Sequence, residues 1–222
     1  MDYKEIIEKA QIEGRKTLSE YESKEIIREF GITLAEEIFV RDISELSVIS
    51  NLSFPLVAKG ISKGIAHKTE RNLVRLWIKN EAELKKEVEE LKGVEGVEGV
   101  LISRQIIDRR EFLLGLKYDI QFGYAILFGL GGIFTEALKD ISIRICPITK
   151  GDAGEMLLEV KSSALLKEIR GFKAVNIERL KEMMVNLSKI PEKIQEISEV
   201  DINPIMFEDG EPVAIDALVV LK

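Results

Sequence analysis

His67 is the one histidine of the chain. It lies in the run Ser62-Lys63-Gly64-Ile65-Ala66-His67-Lys68-Thr69-Glu70, just after the apolar stretch Leu56-Val57-Ala58-Lys59. Imidazole changes charge near neutral pH, and it is the usual side chain for accepting a phosphoryl group or acting as a general base. Histidine chemistry in this protein therefore has a single address; the alternative is a solvated loop histidine with no role. A second group of polar residues sits near the end of the chain. Asp209-Gly210, between two apolar runs, is a strong signal for a two-residue type I′ hairpin turn. With that turn Glu208 faces Glu211, and counting back sets Asn203 opposite Asp216. Asp201 is two residues before Asn203 and shares its face, because strand side chains alternate. Two carboxylates and an amide on one face make an oxygen set of the kind Mg2+ takes, with waters and substrate phosphates completing its shell. The alternative is a pair of solvent-facing edge charges. The apolar neighbours Val200, Ile202, Ile215 and Val219 make these strands half-buried, and buried charges need partners.

Other residues carry weaker signals. Lys59 ends an apolar strand beside a loop with Gly60 and Gly64. It is placed either to meet a phosphate as a point charge or to snorkel to solvent. The loop is not a P-loop, since its glycine-lysine pattern is absent. Glu111 opens a strand, where a carboxylate can bind ribose hydroxyls or simply be solvated. Phe128-Gly129-Leu130-Gly131-Gly132-Ile133 is apolar with three glycines; it allows close approach of a ligand or another backbone, or marks a tight corner. It is not a dinucleotide fingerprint. With Ala125-Ile126-Leu127-Phe128 it is a candidate docking surface, core packing being the alternative for its side chains. Cys146 reads as a small core residue.

The elements that must position these residues follow from pattern. The chain has 222 residues and a formal net charge of −7. It is long enough for one large domain or two small ones. It has no basic stripe, which argues against nucleic acid as a partner. One cysteine excludes an internal disulfide and fits a reducing, cytoplasmic setting. The charged N-terminus is no signal peptide, and no apolar run is long enough to span a membrane. Two helices fill the first 30 residues. Ile6, Ile7 and Ala10 share a face of the first; Ser19 to Glu22 is a capping box for the second, and Gly31 stops it. Glu37 to Val40, Leu56 to Ile61 and Leu73 to Lys79 read as strands. Asp42 to Leu52 reads as a helix, as does the segment from Asn80 to Leu91. Val100 to Ile106, Glu111 to Tyr118, Tyr124 to Leu130 and Ile133 to Ile145 follow as strand-like runs spaced for antiparallel pairing. Helices are expected over 152–169 and 177–188, then strands Glu199 to Phe207 and Pro212 to Leu221. The class is α+β, with two lobes hinged near Val100.

Taken together, these residues resemble the nucleotide-binding β subunit of ADP-forming acetate–CoA ligases. The resemblance runs from about Leu18 to Lys222. It is carried by LSEYESKEIIREFGI, FPLVAKGIS with IAHK, REFLLG, QFGYAILFGLGGIFTEALKDISIRICPI and VDINPI. That family has an ATP-grasp fold and is related to the β subunit of succinyl-CoA synthetase. The resemblance implies an N-terminal helix over 1–17, a first lobe over 18–99 with the histidine loop, and a second over 100–222 with the Mg2+-binding hairpin and an antiparallel sheet. ADP or ATP with Mg2+ would bind between the lobes. Lys59 matches the lysine at the nucleotide phosphates and Glu111 the glutamate at the ribose. Ile102, Ser103 and Arg104 fall where the hinge holds the adenine edge. Asn203 and Asp216 match Mg2+ ligands, and Asp201 an acidic residue that steadies a phosphohistidine. His67 matches the histidine proposed to relay phosphate. Tyr124 departs from the pattern, where many members have histidine, and Lys117 to Ile120 replaces a more acidic, proline-containing turn. The reaction implied is acyl-CoA + ADP + phosphate ⇌ acid + ATP + CoA. The partner implied is a CoA-binding α subunit with its own active-site histidine, in an α2β2 assembly. A regulatory nucleotide-binding module of a protein acyltransferase system, or another ATP-grasp ligase working through an acyl phosphate, are the competing readings.

Overall fold

The computed structural model describes residues 2–46, 52–62, 73–132 and 139–222. They fall into two compact units. One contains Leu18–Glu22 and Ala35–Gln105; the other contains Met1–Thr17, Ser23–Leu34 and Ile106–Lys222.

In the first of these units, strands β1 (Glu37–Val40), β2 (Leu56–Ser62), β3 (Val74–Ile78) and β4 (Val97–Arg104) form a sheet of order β1-β4-β2-β3. Every pairing in it is antiparallel, so this lobe shares the sheet type expected for the other. Helix α3 (Glu81–Lys92) starts where Asn80 accepts a hydrogen bond from the Glu83 N–H at 2.9 Å. Its Leu84, Val88 and Leu91 recur at helical spacing and are buried. They join Leu56, Ala58, Val100 and Ile102 in one core. The helix expected from Asp42 is only a 3₁₀ turn at 43–46, and the rest of that segment lies outside the described residues. The Asp42 carboxylate caps the start of the turn. It accepts from the Ser44 N–H at 2.9 Å and the Ser44 hydroxyl at 2.8 Å.

The other unit is built on β5 (Phe112–Asp119), β6 (Gly123–Leu130), β7 (Ile141–Ile145), β8 (Ile197–Glu208), β9 (Glu211–Ala214) and β10 (Leu218–Leu221). The sheet order is β10-β8-β5-β6-β7, with β9 paired to β8. One face carries Phe112, Leu114, Ile126, Phe128, Val200 and Ile202, all buried. Helices α4 (Lys150–Glu159) and α5 (Ile177–Ser188) contribute Ala153, Met156 and Leu157, and Leu180, Met183, Met184 and Leu187, to the buried set. Ile126 and Phe128 are thus core residues. The glycines after them serve close packing: a Cβ on Gly129 would meet the Asp140 carbonyl at 2.3 Å, and one on Gly131 the Phe112 backbone at 2.7 Å.

Two expected elements are split. The helix over 152–169 ends at Glu159, and a 3₁₀ turn runs over Lys161–Leu166. Buried Asp140 causes the break by accepting from the Lys161 and Ser162 N–H groups, both at 2.7 Å, so that a new helical start is capped from outside. The last strand breaks at 215–217 into β9 and β10. Opposite the break β8 carries one extra residue, because Phe112 pairs with Ile205 but Leu114 with Ile202. This bulge at Asn203-Pro204 shifts the phase of the strand. The hairpin register still follows the Asp209-Gly210 turn on both sides of it, with Glu208 on Glu211, Ile205 on Ala214 and Asp201 on Leu218.

Helices α1 (Tyr3–Ile12) and α2 (Glu20–Glu29) match their expected faces and caps. In the α2 capping box Ser19 N–H and Oγ donate to Glu22 at 2.9 and 3.0 Å, and Glu22 N–H donates to Ser19 Oγ at 3.3 Å. At the other end Gly31 has φ +78°, and the Ile32 N–H closes on the Ile27 carbonyl at 3.1 Å.

Candidate functional site

In the unit containing Ile106–Lys222, the face of the sheet opposite α4 and α5 carries Glu199, Asp201 and Asn203 on β8. Asp201 pairs with Gly115 and Glu199 with Lys117 on β5, and Lys117 Nζ lies 3.4 Å from the Glu199 carboxylate. Alternation alone puts the three β8 residues on one side. The bulge then lets Asn203 turn toward the end of β6, where the Gly132 N–H donates to Asn203 Oδ1 at 3.2 Å. Gly132 has φ +67°, and a Cβ there would meet Glu111 Oε2 at 2.1 Å. Gly132 therefore meets both Glu111 and Asn203, although the three come from separate segments. Glycine is required at position 132 both by the positive φ and by the Glu111 carboxylate lying where a side chain would be. Glu111 is anchored from both sides. Its carbonyl accepts from the Gly131 N–H at 2.8 Å. Just before it, buried Arg110 pairs with Asp108, Nε lying 3.0 Å from each carboxylate oxygen, and donates to the carbonyls of Leu165, Lys167 and Lys173. The role of Arg110 rests on partners more than 50 positions away, which no local sequence signal marks.

Asp216 sits in the break between β9 and β10 and accepts from the Ala217 N–H at 2.8 Å. The neighbouring Ile215 N–H bonds the Pro204 carbonyl across the bulge at 3.0 Å. Burial pushes the Asp201 carboxyl above its ordinary value, and the negative charges of Glu199 and Asp216 push it further the same way. This face therefore gathers carboxylate charge that a cation would relieve. Among the described residues no group of three or more His, Cys, Asp and Glu side chains makes a closed metal cage. One carboxylate with one amide oxygen suits Mg2+, which keeps several waters and binds substrate phosphates. Asn203 and Asp216 fit that ion.

The unit containing Ala35–Gln105 holds the other site candidates. Lys59 on β2 pairs across the sheet with Leu101, and Val57 with Ser103, so Lys59 and Ser103 share a face. Phe39, opposite Leu101, is on that face too, and Tyr21 stacks on it at 4.7 Å. The start of α2 thus covers this side of the sheet. There Lys59 Nζ meets Glu20 Oε1 at 3.1 Å, the two side chains being 10% and 1% exposed. Glu20 was not among the residues singled out from sequence; its position at the first turn of a capped helix gave no hint of a partner 39 residues on. The side chain of Ile102 points to the α3 core, and its backbone lies between Ile38 and Ala58 in the ladders. Arg104 is at the exposed end of β4. His67 and Gly64 lie outside the described residues.

A family model described as ATP-grasp domain matches residues 9–221. The β subunit of acetate–CoA ligase (ADP-forming) I from Pyrococcus furiosus is 40% identical over 226 residues, covering 98% of this chain and 97% of that one. The acetate–CoA ligase (ADP-forming) I of Archaeoglobus fulgidus is 34% identical over 93% of this chain, a match that spans 31% of that longer protein. Among solved structures, the dinucleotide-forming acetyl-coenzyme A synthetase 1 of Ca. Korarchaeum cryptofilum, in complex with coenzyme A and Ca-AMPCP, superposes with a TM-score of 0.91 at 31% identity and full coverage of both chains. The same enzyme with coenzyme A and Mg-AMPPCP, its phosphohistidine segment pointing towards the nucleotide binding site, gives 0.87 at 31% identity.

Proposed function

The chain belongs to the ATP-grasp family, and from that premise we propose that it is the nucleotide-binding β subunit of an ADP-forming acyl-CoA synthetase. The observation that carries the reading is that Gly132 meets both Asn203 and Glu111, in the unit that also holds the acidic group of Asp201 and Asp216. It offers acceptors for a ribose and oxygen ligands for a hydrated cation, in a chain matched end to end by a β subunit of that enzyme class. In this reading Glu111 accepts hydrogen bonds from ribose hydroxyls. Lys59 supplies positive charge to the nucleotide phosphates, and Ser103 and Arg104 lie toward the adenine with the backbone of Ile102. Asn203 and Asp216 would hold Mg2+, which would supply positive charge to the nucleotide phosphates.

The relay requires a companion chain. There acyl-CoA and phosphate exchange to give an acyl phosphate and free CoA. A histidine of the companion takes the phosphoryl group and releases the acid. His67 of this chain accepts it next, and attack by ADP on phosphorylated His67 yields ATP. In this reading Asp201 is the acidic residue that serves the phosphohistidine. The companion is a CoA-binding α subunit, the assembly is α2β2, and the setting is cytoplasmic, where a chain with one thiol stays reduced.

Nucleotide binding tests the site residues. Mg-ADP at a hundredfold excess over Kd should stabilise the chain by about 2.7 kcal/mol, read as a rise in melting temperature. Asp216→Ala should abolish the part of that rise that depends on Mg2+. An unchanged rise in the variant would remove Asp216 from the site.

A further inference from the structure

We propose that Glu20 is a positioning residue for the nucleotide phosphates, acting through Lys59. The proposal rests on the reading of Lys59 as a phosphate contact. An ammonium on four rotatable bonds is a poor recognition group unless something fixes it, since it must lose rotamer freedom to bind. Here the fixing group is Glu20. Lys59 Nζ is 3.1 Å from Glu20 Oε1, and both side chains are almost removed from water. Glu20 is itself held firmly. It is the first residue of α2, directly after Ser19, whose hydroxyl and N–H lock the capping box with Glu22. A carboxylate at a helix N-terminus is favoured by the helix dipole. Tyr21, the next residue, stacks on Phe39 and seats this turn on the sheet face that carries Lys59.

The pair has a consequence for binding. A buried lysine without a carboxylate beside it would favour its neutral form, and a neutral amine loses its charge attraction to a phosphate. Glu20 keeps the ammonium charged and aimed before the nucleotide arrives, so less ordering is left to be done on binding. The pair is not a stability device in the first instance, because a buried ion pair recovers little more than its desolvation cost.

A double-mutant cycle on Mg-ADP affinity, measured by calorimetry on the full chain, separates this inference from the reading beneath it. Lys59→Met should weaken binding, and if it does not, Lys59 is no phosphate contact and the reading of that residue fails first. Glu20→Gln should weaken binding on the order of tenfold, the scale of one hydrogen bond to a charged group. In the Lys59→Met background the same change should have no further effect. Glu20→Asp, which keeps the charge on a shorter arm, should fall between wild type and Glu20→Gln, and it also serves if the glutamine variant does not fold. Equal weakening in both backgrounds, unchanged affinity, or tighter binding in Glu20→Gln would each overturn the proposal.

Discussion

Asp201 is the residue whose setting says most. It lies on the polar face of β8 between Glu199 and Asn203, and burial together with Glu199 and Asp216 raises its pKa above 3.8. A carboxyl raised on folding contributes stability that is fully present below its unfolded pKa and is lost as pH rises through the folded one. At neutral pH the ionised Asp201 therefore works against the fold. Metal-free Asp201→Asn should melt higher than the parent at pH 7, and the two should converge near about pH 3. Melting curves across that range check it; a variant less stable than the parent at pH 7 would mean that the charge is compensated. Carboxylates held close together are what sites built for a cation or a charged intermediate present. The residue types of this face were legible in the sequence, because Asp-Gly fixes the turn and alternation does the rest. The aim of Asn203 was not. It depends on one extra residue in β8, and the only local hint is Pro204, which has no N–H to give to a ladder.

At the level of elements, what was legible is what local chemistry decides. The Ser19 capping box, Gly31 as a helix stop, the Asn80 cap and the extent of α5 all appear where pattern put them. What was not legible depends on distant partners. Asp140 ends α4 through N–H groups 21 and 22 residues away, and β4 inserts between β1 and β2, an order that no local signal encodes. The glycine run at the end of β6 was visible as a feature, but its use was not: Gly129 and Gly131 admit neighbouring backbones and Gly132 admits Glu111. The cap of α2 deserves a quantitative test because it holds Glu20 as well as the helix. Ser19→Ala should cost about 1 kcal/mol, read from the midpoint of urea denaturation with the slope unchanged. No loss would show that Glu22 or the packing of Tyr21 on Phe39 suffices to start the helix.

For the whole molecule, the proposed site residues divide between the two units: Lys59 belongs to one, Glu111, Asn203 and Asp216 to the other. The chain spans almost the full length of a relative named as a β subunit, while other relatives hold the matching segment as about a third of a longer protein. The central claim is that His67 is the carrier on this side. It is also the one histidine of the chain, so the test has no competing position. The measurement is transfer of radiolabelled phosphate from ATP, with Mg2+, to this chain in the presence of its companion subunit. The account predicts a label that is stable in base and labile in acid, as a phosphoramidate is, discharged to ATP on adding ADP, and absent from His67→Ala even though that variant still binds Mg-ADP. Label that persists on this chain in His67→Ala, or full turnover by that variant, would contradict it.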